Sequence, residues 1–157
     1  MNNQIIITDS NISTEKSLYE TDFYQWALHN AELIRQGRIS DIDLDNIVEE
    51  LESMGRNNRR ELISRFLVLI MHLLKWQYQS NKRSKSWIST INTQRAEIRF
   101  ILEDSPSLKH DIELIIEKAF QNAKVSFEKE TNINKKHLPQ TCPYIFEQLS
   151  DYEFWPE

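Results

Sequence analysis

The stretch RNNRRELISRFLVLIMHLLKWQYQ, Arg56 to Gln79, decides the fold. It is the longest helical pattern in the chain and the most apolar one. At about 100° per residue, Leu62, Ile63, Phe66, Leu67, Ile70, Leu73 and Leu74 fall on one broad face. The other side differs from an ordinary solvated face. Glu61, Arg65, His72, Lys75, Trp76 and Gln79 form a second stripe of ionisable, amide and indole groups, with Val68 and Leu69 among them. A helix apolar on one side and so loaded on the other is expected to be central, with neighbours on both sides.

Helical patterns extend outward from this stretch in both directions. One runs from Asp43 to Met54 and is expected to stop at Gly55, with Asp43 as N-cap and Leu44, Ile47, Val48, Leu51 and Met54 as its core face. Before it, Asp22 to Gln36 stops at Gly37, with Phe23, Trp26, Ala27, Leu33 and Ile34 on one face. Asn30 sits in the middle of that face, where an amide is expected to satisfy a neighbouring polar group. After the central stretch, Ser80 to Ser84 makes a polar turn, and a helix follows from Ser86 to Asp104, capped by Ser84 or Ser86. Its apolar face holds Trp87, Ile88, Ile91, Ile98, Ile101 and Leu102, with Gln94 inside that face and Arg95 at its margin. SPSL, Ser105 to Leu108, stops one helix and opens the next, which extends to Glu130. A short helix over Pro143 to Leu149 is expected. Phe154, Trp155 and Pro156 are too apolar for a free end and are expected to dock.

Composition agrees with this reading. The 157 residues suit one domain able to close a core, and two glycines with four prolines argue against an all-β fold. The expected fold is therefore all-α, a single-domain bundle of five main helices plus a short C-terminal one over residues 19–157. Residues 1–18 are read as a flexible arm in which Ile5 to Ile7 can pair or pack locally. The lone Cys142 excludes an internal disulfide and a cysteine-rich zinc site. No signal peptide and no membrane span is read, so a cytoplasmic protein is expected.

The net charge of -5 disfavours general nucleic-acid or anionic-membrane binding. The charge is uneven, however. Asp41 to Glu52 carries six acids and no base, whereas Lys75 to Arg99 carries six bases against Glu97. The two segments either complement each other or leave a local anion site on the basic one. Glu50, at the edge of a core face, is expected to meet a basic or imidazole partner from the helices that follow.

Several side chains are candidates for chemistry. Arg65 and His72 lie seven residues apart, on nearly the same side of the helix. A neutral imidazole beside a guanidinium that depresses its pKa can act as a general base next to a phosphate clamp. That spacing resembles the Arg-x4-6-His motif of the higher-eukaryote-and-prokaryote nucleotide-binding helical ribonucleases, a match of two residues. Glu50, Lys75, Trp76, Gln94 and Arg95 are the candidate ligand-binding groups. Glu49, Glu50 and Glu52 precede His72 by one helix, but neither Glu-x-x-His nor HExxH occurs, so no metal and no cofactor is expected. Phosphate-binding loops and nucleophile elbows do not occur either.

Taken in order, YETDFYQWAL (Tyr19 to Leu28), LDNIVEELESMG (Leu44 to Gly55), HLLKWQYQ (His72 to Gln79), SWISTINTQR (Ser86 to Arg95), SPSL and CPYIFEQLSDYEFWP (Cys142 to Pro156) resemble the bacterial family called domain of unknown function twenty-nine, abundant in cyanobacteria. The resemblance covers nearly the whole chain from Tyr19. It implies a single all-helical domain and brings no activity, cofactor or catalytic residue with it. Where the family motif has a proline this chain has Ser80. The functional expectation is a binding or interaction module, with a protein or an anionic ligand as partner. The alternatives are a metal-independent ribonuclease using Arg65 and His72, and a structural or regulatory partner protein.

Overall fold

The computed structural model describes residues 17–157, so the expected arm over residues 1–18, with Ile5 to Ile7, lies almost wholly outside the described residues. The protein is all-α. Its helices are α1 (Leu18–Thr21), α2 (Phe23–Arg35), α3 (Leu44–Tyr78), α4 (Lys85–Asp104), α5 (Ile112–Thr131) and α6 (Phe146–Ser150), with a 3-10 segment in each connection after α2. No strand occurs among the described residues. Backbone contacts gather into two compact units, Met1–Leu51 and Glu52–Glu157.

The two helices expected on either side of Gly55 are one. α3 runs from Leu44 through Gly55 to Tyr78 without a break. Glycine ends helices when its freedom to take positive φ is used. Gly37 takes φ 71 after α2, whereas Gly55 does not leave the helix. The good helix formers on both sides outweigh one glycine, which costs about 1 kcal/mol relative to alanine.

In the first unit, Trp26 and Leu33 of α2 are buried, while Phe23 and Ile34, expected beside them, are exposed. The buried Asn30 is fully engaged: its Nδ2 donates to the Trp26 carbonyl (2.9 Å) and its Oδ1 accepts from the Asp43 backbone N–H (2.8 Å). Trp26 Nε1 donates to the Asp43 carboxylate (2.9 Å), as does Asn46 Nδ2 (2.8 Å). These bonds, Asn46 first, hold the Asp43 carboxyl below the ordinary range. Tyr19 sits edge-on to Trp26, and its hydroxyl donates to Glu50 (2.5 Å). The expected core face of Leu44, Val48, Leu51 and Met54 is instead exposed. The side of α3 that meets α1 and α2 is the one bearing Asp43 and Glu50.

The second unit holds the main hydrophobic cluster. Leu62, Phe66, Leu69, Ile70, Leu73 and Leu74 of α3 are all 0% exposed. Leu69, read from the sequence into the polar stripe, stands two turns after Leu62 and shares its inner face. Ile91, Ile98 and Leu102 of α4 join it, as do Ile115, Ile116, Ala119, Phe120, Ala123 and Phe127 of α5. α4 opens at Ser84, whose side chain accepts from the Trp87 N–H. α5 closes at Asn132 in the left-handed conformation (φ 59). The C-terminal tail docks as expected. Leu149 and Tyr144 are buried, and Phe154 and Trp155 pack on the cluster.

Candidate functional site

The polar stripe of α3 divides into two neighbourhoods. The first is an open cleft of about 390 Å³, lined by Arg60, Glu61, Ser64, Arg65 and Val68 of α3 and Gln94 of α4. The helical period puts Glu61, Arg65 and Val68 on one side of α3, away from its buried leucines. Arg65 Nη2 lies 3.1 Å from Glu61, one turn earlier, and 3.7 Å from Glu97 of α4. A guanidinium carries five N–H donors, so two carboxylates on one nitrogen leave most of its fork available. Gln94 is only 9% exposed, and its Oε1 is buried with no hydrogen-bond donor from the described protein groups.

The second neighbourhood is closed by its own partners. His72 Nδ1 lies 2.9 Å from the Val68 carbonyl. A carbonyl can only accept, so Nδ1 carries the proton and Nε2 is the basic nitrogen in the neutral ring. Burial pushes the His72 pKa below its ordinary 6.5, and Lys75 adds to this, while the Val68 bond and Glu130 oppose it. Arg65, expected to be the depressing charge, is not among the causes. Lys75 Nζ pairs with Glu130 of α5 (2.9 Å) and stands 4.8 Å from the Trp87 ring centre. Trp76 packs against Trp155 (4.7 Å), with the Arg83 guanidinium over its ring at the same separation.

Arg95 is 2% exposed and holds the tail: Nε donates to the Leu149 carbonyl (3.1 Å), Nη1 to Tyr152 (3.4 Å) and Nη2 to Phe154 (2.8 Å). Its guanidinium also faces Trp155 (5.4 Å). Glu50 belongs to the first unit, and its hydrogen bond comes from Tyr19 rather than from a basic or imidazole group. Of the candidates from the sequence, the structure therefore places Arg65 and Gln94 in one cleft. His72, Lys75 and Trp76 lie in the other neighbourhood, Arg95 under the tail and Glu50 in the first unit. Arg60 and Ser64 line the cleft without having been candidates. Ser64 stands three residues after Glu61 and four before Val68, and Arg60 four before Ser64, and that spacing is the signal that would have found them.

The low pKa of His72 has a consequence for stability. A folded-state pKa below the unfolded value favours the neutral ring, so the contribution is full above about pH 6.5 and is lost as pH falls through the folded value. The melting temperature of the wild type should fall on acidification from neutral pH to about pH 5. His72→Gln should fall less. Equal falls in the two proteins would show that His72 titrates alike folded and unfolded.

None of the described helices is long and apolar enough to cross a membrane, and no group of three or more His, Cys, Asp or Glu suited to a metal occurs among the described residues. Two buried amide oxygens among the described residues lack a donor, those of Asn92 and Gln94, and of these Gln94 lines the cleft beside a partly neutralised arginine in an all-helical protein. The chain belongs to the family described as domain of unknown function DUF29, whose family model matches residues 18–155. Comparison with curated proteins and with solved structures gives no match.

Proposed function

We propose that this protein is a binding module whose cleft at Arg65 and Gln94 takes a small ligand joining an anionic group to an adjacent hydrogen-bond donor. The observation that carries this is the Gln94 amide. A buried oxygen left without a donor costs about 1–3 kcal/mol. Gln94 lines the cleft, and a turn of its buried amide would present that oxygen to a donor from outside. Arg65 supplies the complementary charge, since its longer contact, to Glu97 at 3.7 Å, is weak enough for a carboxylate or phosphate to replace. An N-acyl amino acid has the required pattern: its carboxylate suits Arg65 and its amide N–H suits Gln94 Oε1.

Two other readings are less well supported. A ribonuclease needs Arg65 and His72 to serve one phosphate. Arg65 pairs instead with Glu61 and Glu97, and His72 bonds to Val68 near Lys75 and Glu130. The binding reading expects the wild type to leave RNA intact in metal-free buffer. A purely structural partner protein accounts for Lys75, Trp76 and Arg95 and leaves Gln94 unexplained.

Calorimetric titration with N-acetylglycine and with inorganic phosphate tests the proposal. N-acetylglycine should bind more tightly than phosphate, because only it also offers an N–H at neutral charge. Arg65→Ala should weaken it by about tenfold or more, equivalent to about 1.4 kcal/mol. His72→Ala should leave its affinity unchanged. Equal binding by wild type and Arg65→Ala, or equal loss in His72→Ala, would overturn the assignment.

A further inference from the structure

The net negative charge of this chain gathers in its first unit. Residues 17–51 carry eight acids (Glu20, Asp22, Glu32, Asp41, Asp43, Asp45, Glu49 and Glu50) against Arg35 and Arg38, a net charge of 2 − 8 = −6. On the same unit, Leu44, Val48 and Leu51 of α3 are 58%, 44% and 62% exposed. At 100° per residue these three fall within about 60° of one another, a continuous apolar stripe two turns long. On one flank around the helix stand Asp45 and Glu49; on the other stands Ile47, with Glu50 beyond it on the side held by Tyr19. Burying three such side chains removes apolar surface from water and favours association. Leaving them in water is therefore unfavourable unless something covers them.

We propose that this stripe is a docking surface for a basic amphipathic helix of a partner protein. The apolar spacing fits a helix laid along α3, anchored at successive turns. Charge selects the kind of helix. A second copy of the chain would bring another unit of net charge −6 against the first, with acids meeting acids beside the stripe. A helix with leucines on one face and lysines or arginines along one side of it matches the stripe and its acidic flank at Asp45 and Glu49. This surface belongs to the first unit and is independent of the Arg65–Gln94 cleft.

The test uses the whole chain and two synthetic helical peptides, each of two heptads. One carries leucine at the apolar positions and lysine elsewhere, and the other carries leucine and glutamate. In fluorescence anisotropy the lysine peptide should bind saturably, and the glutamate peptide at least tenfold more weakly. Raising the salt to about 1 M, where the screening length is about 3 Å, should reduce the difference between them. Leu51→Ser and Val48→Thr, both at exposed positions, should keep the helical circular dichroism of the wild type and weaken the lysine peptide by about tenfold together. No binding of the lysine peptide, equal binding of both peptides, or wild-type binding by the double variant would overturn the proposal. So would a stable dimer of the chain that the double variant dissociates, because a second copy would then be the occupant.

Discussion

Leu73→Ala should lower the free energy of unfolding by about 2–5 kcal/mol, measured by denaturant titration. Leu73 is 0% exposed on α3, and its cluster draws on α3, α4, α5 and the tail. Truncation removes three methylene-equivalent groups from a close-packed interior. The lost transfer energy is joined by a cavity term, because a long helix fixed by Phe66, Leu69 and Ile70 cannot shift inward at one residue alone. Leu67→Ala provides the contrast. Leu67 is only partly buried against the same cluster, so the loss there should be smaller. A loss below about 1 kcal/mol at Leu73 would mean that its surroundings are not close-packed.

Arg95→Leu should destabilise the protein by about 3 kcal/mol and release the tail. Three carbonyls, those of Leu149, Tyr152 and Phe154, depend on this one guanidinium. Hydrogen bonds to a charged group are worth about 1.5–3 kcal/mol each, and part of that returns when freed carbonyls reach water. Amide exchange over residues 146–155 should accelerate in the variant more than exchange in the middle of α3. Arg95→Lys should not restore protection, because an ammonium is a point donor that cannot span three diverging carbonyls. Unchanged exchange in the tail would show that the apolar docking of Leu149, Phe154 and Trp155 suffices without it.

The sequence disclosed most of the fold because its strongest signal, helical periodicity, is local. α2 and α4 begin and end close to their expected positions, and Ser84 caps α4; α5 ends where expected but begins at Ile112, because Pro106–Asp111 winds as a 3-10 helix first. The errors lie where local rules compete with context. Gly55 has the composition of a helix stop, yet no turn there uses its freedom, so α3 continues. Leu44, Val48 and Leu51 have the pattern of a core face, but Trp26 and Tyr19 bind Asp43 and Glu50, which fixes a different side of α3 inward. Periodicity reveals that a face is apolar and says nothing of what covers it.

The candidate site was legible only in part. Arg65 and Gln94 stood out as polar groups at unusual positions, and the structure brings them to one cleft. His72 shared the stripe of Arg65 on α3, but its hydrogen bond goes to the Val68 carbonyl, and its neighbour Lys75 pairs with Glu130 across 55 residues, a pairing that leaves no trace in local spacing. Arg95 was equally conspicuous. Its acceptors are backbone carbonyls, which every residue possesses, so no residue type in the tail announces the contact. Glu50 illustrates the same point from the other direction: its partner is a tyrosine hydroxyl, where charge pattern alone pointed to a base.

The binding proposal rests on Gln94, and the stability of Gln94→Met tests it most directly. Methionine keeps the length of the side chain and removes the buried oxygen that has no donor. If the amide is held for a ligand, the variant should be as stable as the wild type or up to about 2 kcal/mol more stable, while losing affinity for N-acetylglycine. A loss of stability greater than about 1 kcal/mol would contradict the account, because the amide would then be serving the fold itself.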